Sequence, residues 1–224
     1  MRNLLVLAGL FLVAAGTATA QEFPKVETSP AFMYIHTSPV LGASQSFNCA
    51  GGGGTIAYNI SSMFGIAADL GGCKVYGLNN TFGIGSRVQG NEFTYLFGPR
   101  ITFRSSSAFR PFVEVNFGGE RVSISCSNGN LGNACGSILP AQLAALPAVA
   151  NSTATTFSKN AFAMTAGGGF DIKLSKKIAL RLVQVEYLYT RFGNSCAFPI
   201  CSQNNNQNSF RLKSGIVIGW GGVQ

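Results

Sequence analysis

Between Glu92 and Arg104 the chain alternates, residue by residue, between two chemical faces. Phe93, Tyr95, Phe97, Ile101 and Phe103 share one parity, and Glu92, Thr94, Gly98, Arg100, Thr102 and Arg104 the other. Successive side chains of a strand point to opposite sides, whereas a helix would scatter both sets around its circumference. The segment is therefore a strand with an aromatic face and a small or charged face. The same split recurs in 112–118, where Val113, Val115 and Phe117 oppose Glu114, Asn116 and Gly118. It recurs in 162–174, where Phe162, Met164, Phe170, Ile172 and Leu174 oppose Thr165, Gly167, Gly169, Asp171 and Lys173, and again in 210–220.

Segments of this kind fall at 30–38, 54–61, 63–71, 92–104, 111–123, 161–174, 178–192 and 209–220. Tight turns join the second to the third at Ser61-Ser62, the fourth to the fifth at 105–110, and the sixth to the seventh at Ser175-Lys176-Lys177. The other connections, 39–53, 72–91, 124–160 and 193–208, are long. Short turns at one end and long loops at the other are the layout of a meandering transmembrane barrel. The expected fold is all-β: an eight-stranded antiparallel up-and-down transmembrane β-barrel.

Composition removes the competitors. Charged residues make up 11% of the chain, against roughly 25% in soluble domains, so water alone does not solvate its outer face. A soluble barrel with an apolar interior would need far more surface charge. Disorder is excluded by 46% hydrophobic and 11% aromatic residues. Beyond residue 20 no apolar run reaches the roughly 18 residues of a spanning helix.

Arg2, the apolar run Leu4 to Ala15 and the small residues Ala18 and Ala20 form the layout of a secretory signal peptide cut before Gln21. An anchoring helix is the other reading of the run; the Ala-x-Ala site and the polar Gln21-Glu22 favour removal. The expected division is a signal peptide at 1–20 and a barrel domain at 21–224. Six cysteines follow, Cys49, Cys73, Cys126, Cys135, Cys196 and Cys201, an even number in an exported chain and hence a disulfide framework. All six are expected in the long connections. Locally closed pairs Cys126 with Cys135 and Cys196 with Cys201 would leave Cys49 for Cys73, although spacing alone leaves the connectivity open. No Cys-x-x-Cys pair or neighbouring His suggests zinc. The Ala- and Leu-rich stretch 138–150, broken by two prolines, reads as a short helix or coil over the barrel mouth. Strand seven has a phase conflict: Gln184 and Glu186 share the polar parity, but Arg181 has the opposite one, which calls for a bulge near Leu182-Val183 or for Arg181 snorkelling at the rim.

Gly167 to Ile172, the Ser175 to Lys177 turn, Ile178 to Arg181, Gln184 to Tyr187 and the closing Leu212 to Trp220 resemble the OmpA-like outer-membrane β-barrel family, the small porin-like and opacity-type proteins. In the closing stretch Lys213, Gly215, Ile218 and Trp220 are similar to that family's terminal assembly signal; the family often ends on the aromatic, and here Gly221 to Gln224 follow. The resemblance implies a bacterial outer membrane, termini in the periplasm, long loops outside, contact with outer-membrane lipid and lipopolysaccharide, and insertion by the barrel-assembly machinery. A monomer is expected. Two outward aromatic sets agree with a bilayer's two interfaces: Phe93, Tyr95, Phe117, Phe162, Tyr187, Tyr189 and Phe210 near the long loops, and Phe64, Phe103, Phe170 and Trp220 near the short turns.

Inward parity assigns Asp69, Glu92, Glu114, Asp171 and Glu186 to the lumen, with Arg100, Arg104, Lys173, Arg211 and Lys213. Eight strands enclose only enough room for side chains, and buried charges must be paired, so a mutually paired plug is expected, with at most small and infrequent conductance. A narrow channel for small solutes or ions is the alternative. Lipid-modifying barrel enzymes need a nucleophile with an activating base. His36 is the sole histidine and no Ser-His-acid set accompanies it, so no enzyme, metal or cofactor is expected. Cys49 to Gly54 lacks the Lys-Ser/Thr of a phosphate loop, and the net charge of +8 forms no basic stripe for nucleic acid. The long loops contain no Asp or Glu; their neutral polar surface points to a structural or surface-interaction role with an unidentified extracellular ligand.

Overall fold

The computed structural model describes residues 23–37, 47–76, 86–104, 108–128, 154–192, 195–197, 200–202 and 206–222. The strands are β1 (Pro24–Thr37), β2 (Phe47–Asn59), β3 (Phe64–Tyr76), β4 (Ser86–Thr102), β5 (Phe109–Asn128), β6 (Ala154–Lys173), β7 (Ile178–Arg191), β8 (Ser195–Ala197), β9 (Ile200–Ser202) and β10 (Asn206–Gly222). Eight of them close into one barrel in the order β1-β10-β7-β6-β5-β4-β3-β2, while β8 and β9 form a separate hairpin. Every barrel pairing is antiparallel, including the β1 to β10 seam, where Val26 faces Trp220 and Thr37 faces Ser209. The fold is thus the expected eight-stranded antiparallel barrel.

Its solvation is inverted relative to a water-soluble barrel. Phe97 is 64% exposed and Trp220 56%, whereas Arg100, between the outward Pro99 and Ile101, is 1% exposed. Side chains alternate across each strand wall, so the same polypeptide presents hydrocarbon outside and polar groups inside. Such an exterior is stable only in an apolar medium.

The turn end of the barrel is held by serine. Ser61 Oγ accepts hydrogen bonds from the backbone N–H of Met63 (3.3 Å) and Phe64 (2.9 Å). Ser175 Oγ does the same for Lys177 (3.3 Å) and Ile178 (3.1 Å). In both, a side-chain oxygen satisfies amides that the reversing chain cannot pair, which is why serine recurs there. The phase conflict of β7 is resolved by a bulge: Phe170 pairs with Val183 but Asp171 with Arg181, so Leu182 is the extra residue. On the other side Lys213 pairs with Gln184 and Gly215 with Arg181. The bulge switches parity, and Ala179, Arg181, Gln184 and Glu186 all point inward.

At the opposite end the strands run further than alternation suggests. Residues 47–53, 72–76, 86–91, 124–128 and 154–160, expected in the long connections, belong to strands. A spanning strand needs only about 9–11 residues. β5 and β6, at 20 residues each, therefore continue past that length as a backbone ladder. This corrects the placement of three cysteines: Cys49 lies in β2, Cys73 in β3 and Cys126 in β5, all barrel strands, whereas Cys196 in β8 and Cys201 in β9 sit in the connection between β7 and β10, as expected. Cys49 and Cys73 are joined, with Cα atoms 5.5 Å apart, and both side chains are buried inside the barrel. Cys196 and Cys201 are direct register partners in the β8 to β9 hairpin. Cys135 and the stretch 138–150 lie outside the described residues.

Two glycines show how closely the wall is filled. A Cβ at Gly71 would meet the thioether of Met33 at 2.9 Å inside the lumen, and one at Gly119 would meet the Tyr95 hydroxyl oxygen at 2.3 Å outside. Each gives a large neighbour the space to lie across the strand.

Candidate functional site: the barrel lumen

The lumen is filled by charge at the turn end and changes character along the strands. Nearest the turns, Arg104 pairs with Glu27 at 2.9 Å. Arg181 clasps Asp171 through Nε (2.8 Å) and Nη2 (3.1 Å), a two-pronged geometry that only a planar guanidinium provides. Arg100 reaches the same carboxylate at 3.5 Å. The Phe112 ring lies against both cations, with the Arg100 and Arg181 guanidinium carbons 3.9 and 4.4 Å from its centroid. Gln184 links this group upward, accepting from Arg181 Nη1 at 2.8 Å and donating to Glu114 Oε1 at 2.7 Å.

One step further along the strands, Arg211 donates through Nε to Glu186 (2.7 Å) and through Nη1 to the Thr94 hydroxyl (3.2 Å). Its Nη2 lies 2.9 Å from Asp69 Oδ1, an ion contact without hydrogen-bond alignment. Lys213 bridges Asp69 and Glu186, the latter at 3.3 Å, and the Thr55 hydroxyl donates to Asp69 at 2.9 Å. The register explains the assembly: Arg211 faces Glu186, Glu186 faces Gly167, Gly167 faces Glu114, and Glu114 faces Arg100. One line of pairing carries four charges around the wall, with a glycine between the two carboxylates. Removing a single partner from such buried pairs costs about 3–5 kcal/mol, because the other charge stays buried.

Beyond Arg211 the ion pairs stop and apolar side chains enter the lining beside buried polar ones such as Thr190, Gln207 and Ser209. Met33, Ile35, Leu96, Ala163 and Leu188 pack with the Cys49 to Cys73 disulfide in one buried cluster. Glu92 and Glu120 lie at this end too, and Glu120 accepts a hydrogen bond from Thr190.

Of the residues assigned to the lumen by parity, Asp69, Glu92, Arg100, Glu114, Asp171, Glu186, Arg211 and Lys213 are buried within it. Arg104 occupies the turn-end rim with its side chain on Glu27. Lys173 departs from expectation: it is exposed, because β6 ends there and the wall no longer covers it. Glu27, Glu120 and Arg181 belong to the lumen as well. Glu120 continues the even parity of Glu114 and was legible; Glu27 lay before the segment boundary drawn at residue 30; Arg181 was hidden by the bulge.

Every acid among the described residues is buried inside, namely Glu27, Asp69, Glu92, Glu114, Glu120, Asp171 and Glu186. The exposed charges among them are all cations: Lys25, Lys173, Lys176 and Lys177 toward the turn end, and Lys74, Arg121 and Arg191 toward the other. Arg121 faces the exposed Phe93 across the β4 to β5 pairing, and Arg191 faces the exposed Phe162. His36 is on the outer face, its Nδ1 2.7 Å from Asn48 Oδ1, away from the lumen acids. Cys49, Cys73 and Glu92 cluster, but both sulfurs are committed to the disulfide and offer no thiolate to a metal.

The family model described as outer membrane protein beta-barrel domain matches residues 5–217. No curated protein matches the chain. Among solved structures, the chain is similar to Ail, the attachment invasion locus protein of Yersinia pestis, with 13% identity, a TM-score of 0.51, and coverage of 87% of this chain and 99% of that one. Neisserial surface protein A (11% identity, TM-score 0.49, 88% and 97% covered) is also similar. So is OprG from Pseudomonas aeruginosa (14% identity, TM-score 0.44, 89% and 97% covered). Identities this low speak to the fold alone.

Proposed function

The chain belongs to the outer membrane protein β-barrel domain family, and from that premise we propose that it is a closed structural barrel displaying its long connections on the cell surface. The observation that carries this reading is the lumen: Arg100, Arg181 and Arg211 are among its largest fully buried side chains, and each is held by a carboxylate. A pore would leave such groups in water, whereas these span the interior and occupy it.

In this reading residues 1–20 direct export and are removed, and the Lys213, Gly215, Ile218, Trp220 pattern serves recognition by the barrel-assembly machinery. Both termini face the periplasm, and the long connections face outward as a monomer's surface for an extracellular ligand. The collar of Lys74, Arg121 and Arg191, directly beyond the aromatic Phe93 and Phe162, suits the phosphates of lipopolysaccharide, since cations at the headgroup level pair with anionic lipid. The protein performs no catalysis: His36 lies on the outer wall with Asn48 as its partner.

Protease shaving of intact cells tests the display. Cleavage is expected within 129–153, the longest connection; cuts confined to the turns at 60–63 and 174–177 would invert the topology. Mass analysis of lipid A after expression should show no added or missing acyl chain; a change abolished by His36→Ala would establish an enzyme instead.

A further inference from the structure

Five of the seven described acids form ion pairs, and two do not. Glu27, Asp69, Glu114, Asp171 and Glu186 each contact Arg or Lys. Glu92 and Glu120, at the disulfide end of the lumen, have no ion pair among the described residues. Glu92 is 2% exposed, and neither of its carboxylate oxygens accepts a hydrogen bond. Glu120 is fully buried, with Oε2 held by the Thr190 hydroxyl and Oε1 without a partner. The two are neighbours: Glu92 faces Val122 and Glu120 faces Thr94, which makes them diagonal residues on the inner face of adjacent strands, about 7–8 Å apart at Cα. Arg211, the cation below them, is committed to Glu186, Asp69 and Thr94. Lys159 stands two strands from Glu92 on one register line, through Val122, and is engaged in a contact of its own.

Two adjacent buried carboxylates without an ion pair cannot both stay ionised unaided: two protons or one cation of charge +2 neutralise them. We propose that Glu92 and Glu120 form a binding site for one small divalent cation of the calcium or magnesium class at this end of the lumen. The donor chemistry selects that class. Glu92 directly faces Cys73, and its carboxylate oxygen lies within 4.8 Å of both Cys49 and Cys73 sulfurs, but these are oxidised and cannot act as thiolates. His36 is on the outer wall. What remains is oxygen: two carboxylates with the hydroxyls of Thr190 and Thr94 on the same face, a hard set that favours calcium or magnesium over zinc or copper. Such an ion would tie β4, β5 and β7 together at the end where the ion-pair network is absent.

The test uses the full refolded protein, disulfide intact, in a zwitterionic detergent free of lipopolysaccharide. Calcium or magnesium chloride is titrated against an EDTA baseline at constant ionic strength, with heat-modifiable gel mobility as the folding readout and calorimetry for stoichiometry. Wild type is expected to bind one equivalent and to melt higher with the ion. E92Q, E120Q and the double variant should lose at least tenfold in affinity, and in EDTA should melt at or above wild type, because each substitution removes an unpaired buried charge. The sign reversal between EDTA and calcium separates a site from a structural role. A wild type that responds to neither ion overturns the proposal, as does an equal response in the double variant or an equal response to sodium. Should the double variant not fold, either single variant with wild-type affinity overturns it.

Discussion

The two ends of the lumen solve the same packing problem with different chemistry. Toward the turns, Arg100, Arg181, Asp171, Glu114 and Gln184 form a continuous hydrogen-bonded network whose members each depend on another. Toward the long connections the ion pairs stop, and an apolar cluster and a covalent cross-link share the interior with the buried Glu92 and Glu120. A charged network demands exact partners and punishes the loss of any one; an apolar cluster tolerates change, with losses that scale with the volume removed. The turn end should therefore be the brittle half of the barrel and the disulfide end the adaptable half.

The sharpest attack on that difference is Arg211→Met, which leaves Asp69 and Glu186 to share the single charge of Lys213. Unfolding in urea from lipid vesicles should show a loss of about 3–5 kcal/mol. Reduction of the Cys49 to Cys73 bond, or Cys49→Ser with Cys73→Ser, should lower stability by about 2–4 kcal/mol while the barrel still closes, as read by gel mobility with and without reductant. Gln184→Ala removes one acceptor from Arg181 and one donor from Glu114, and a loss of about 1–3 kcal/mol is expected in the same urea assay. Lys173→Ala is the smallest effect: its side chain is exposed, and a change within about 0.5 kcal/mol should separate it from the buried Lys213. If Lys173→Ala matched Arg211→Met, the boundary drawn between lumen and rim would be wrong.

The legibility of the molecule in its sequence follows the same division. Within the apolar medium a strand must alternate, because one side meets hydrocarbon and the other a polar interior; Phe93 to Arg104 reports this directly, and eight segments and the lumen parity of Arg100, Glu114 and Arg211 follow. Beyond the aromatic level the contrast between aromatic and charged parities is lost: Ser123, Ser125 and Ser127 alternate only with Ile124 and Cys126, and Ala154 to Asn160 gives no period, even though each continues a ladder. For this reason Cys49, Cys73 and Cys126 are expected in connections yet lie in barrel strands. Arg181 was ambiguous because a bulge shifts parity without changing composition, and only the paired register of β6 and β10 locates it at Leu182. Partner choice across the lumen, such as Arg211 of β10 with Asp69 of β3 three strands away, depends on strand stagger around a closed barrel, which no single strand's sequence encodes.

The central claim is that paired charge closes the lumen. Planar-bilayer recording on refolded wild-type protein tests it most directly. The closed barrel predicts no steady current and at most small, infrequent openings; large, stable, porin-sized conductance from the folded protein would contradict it.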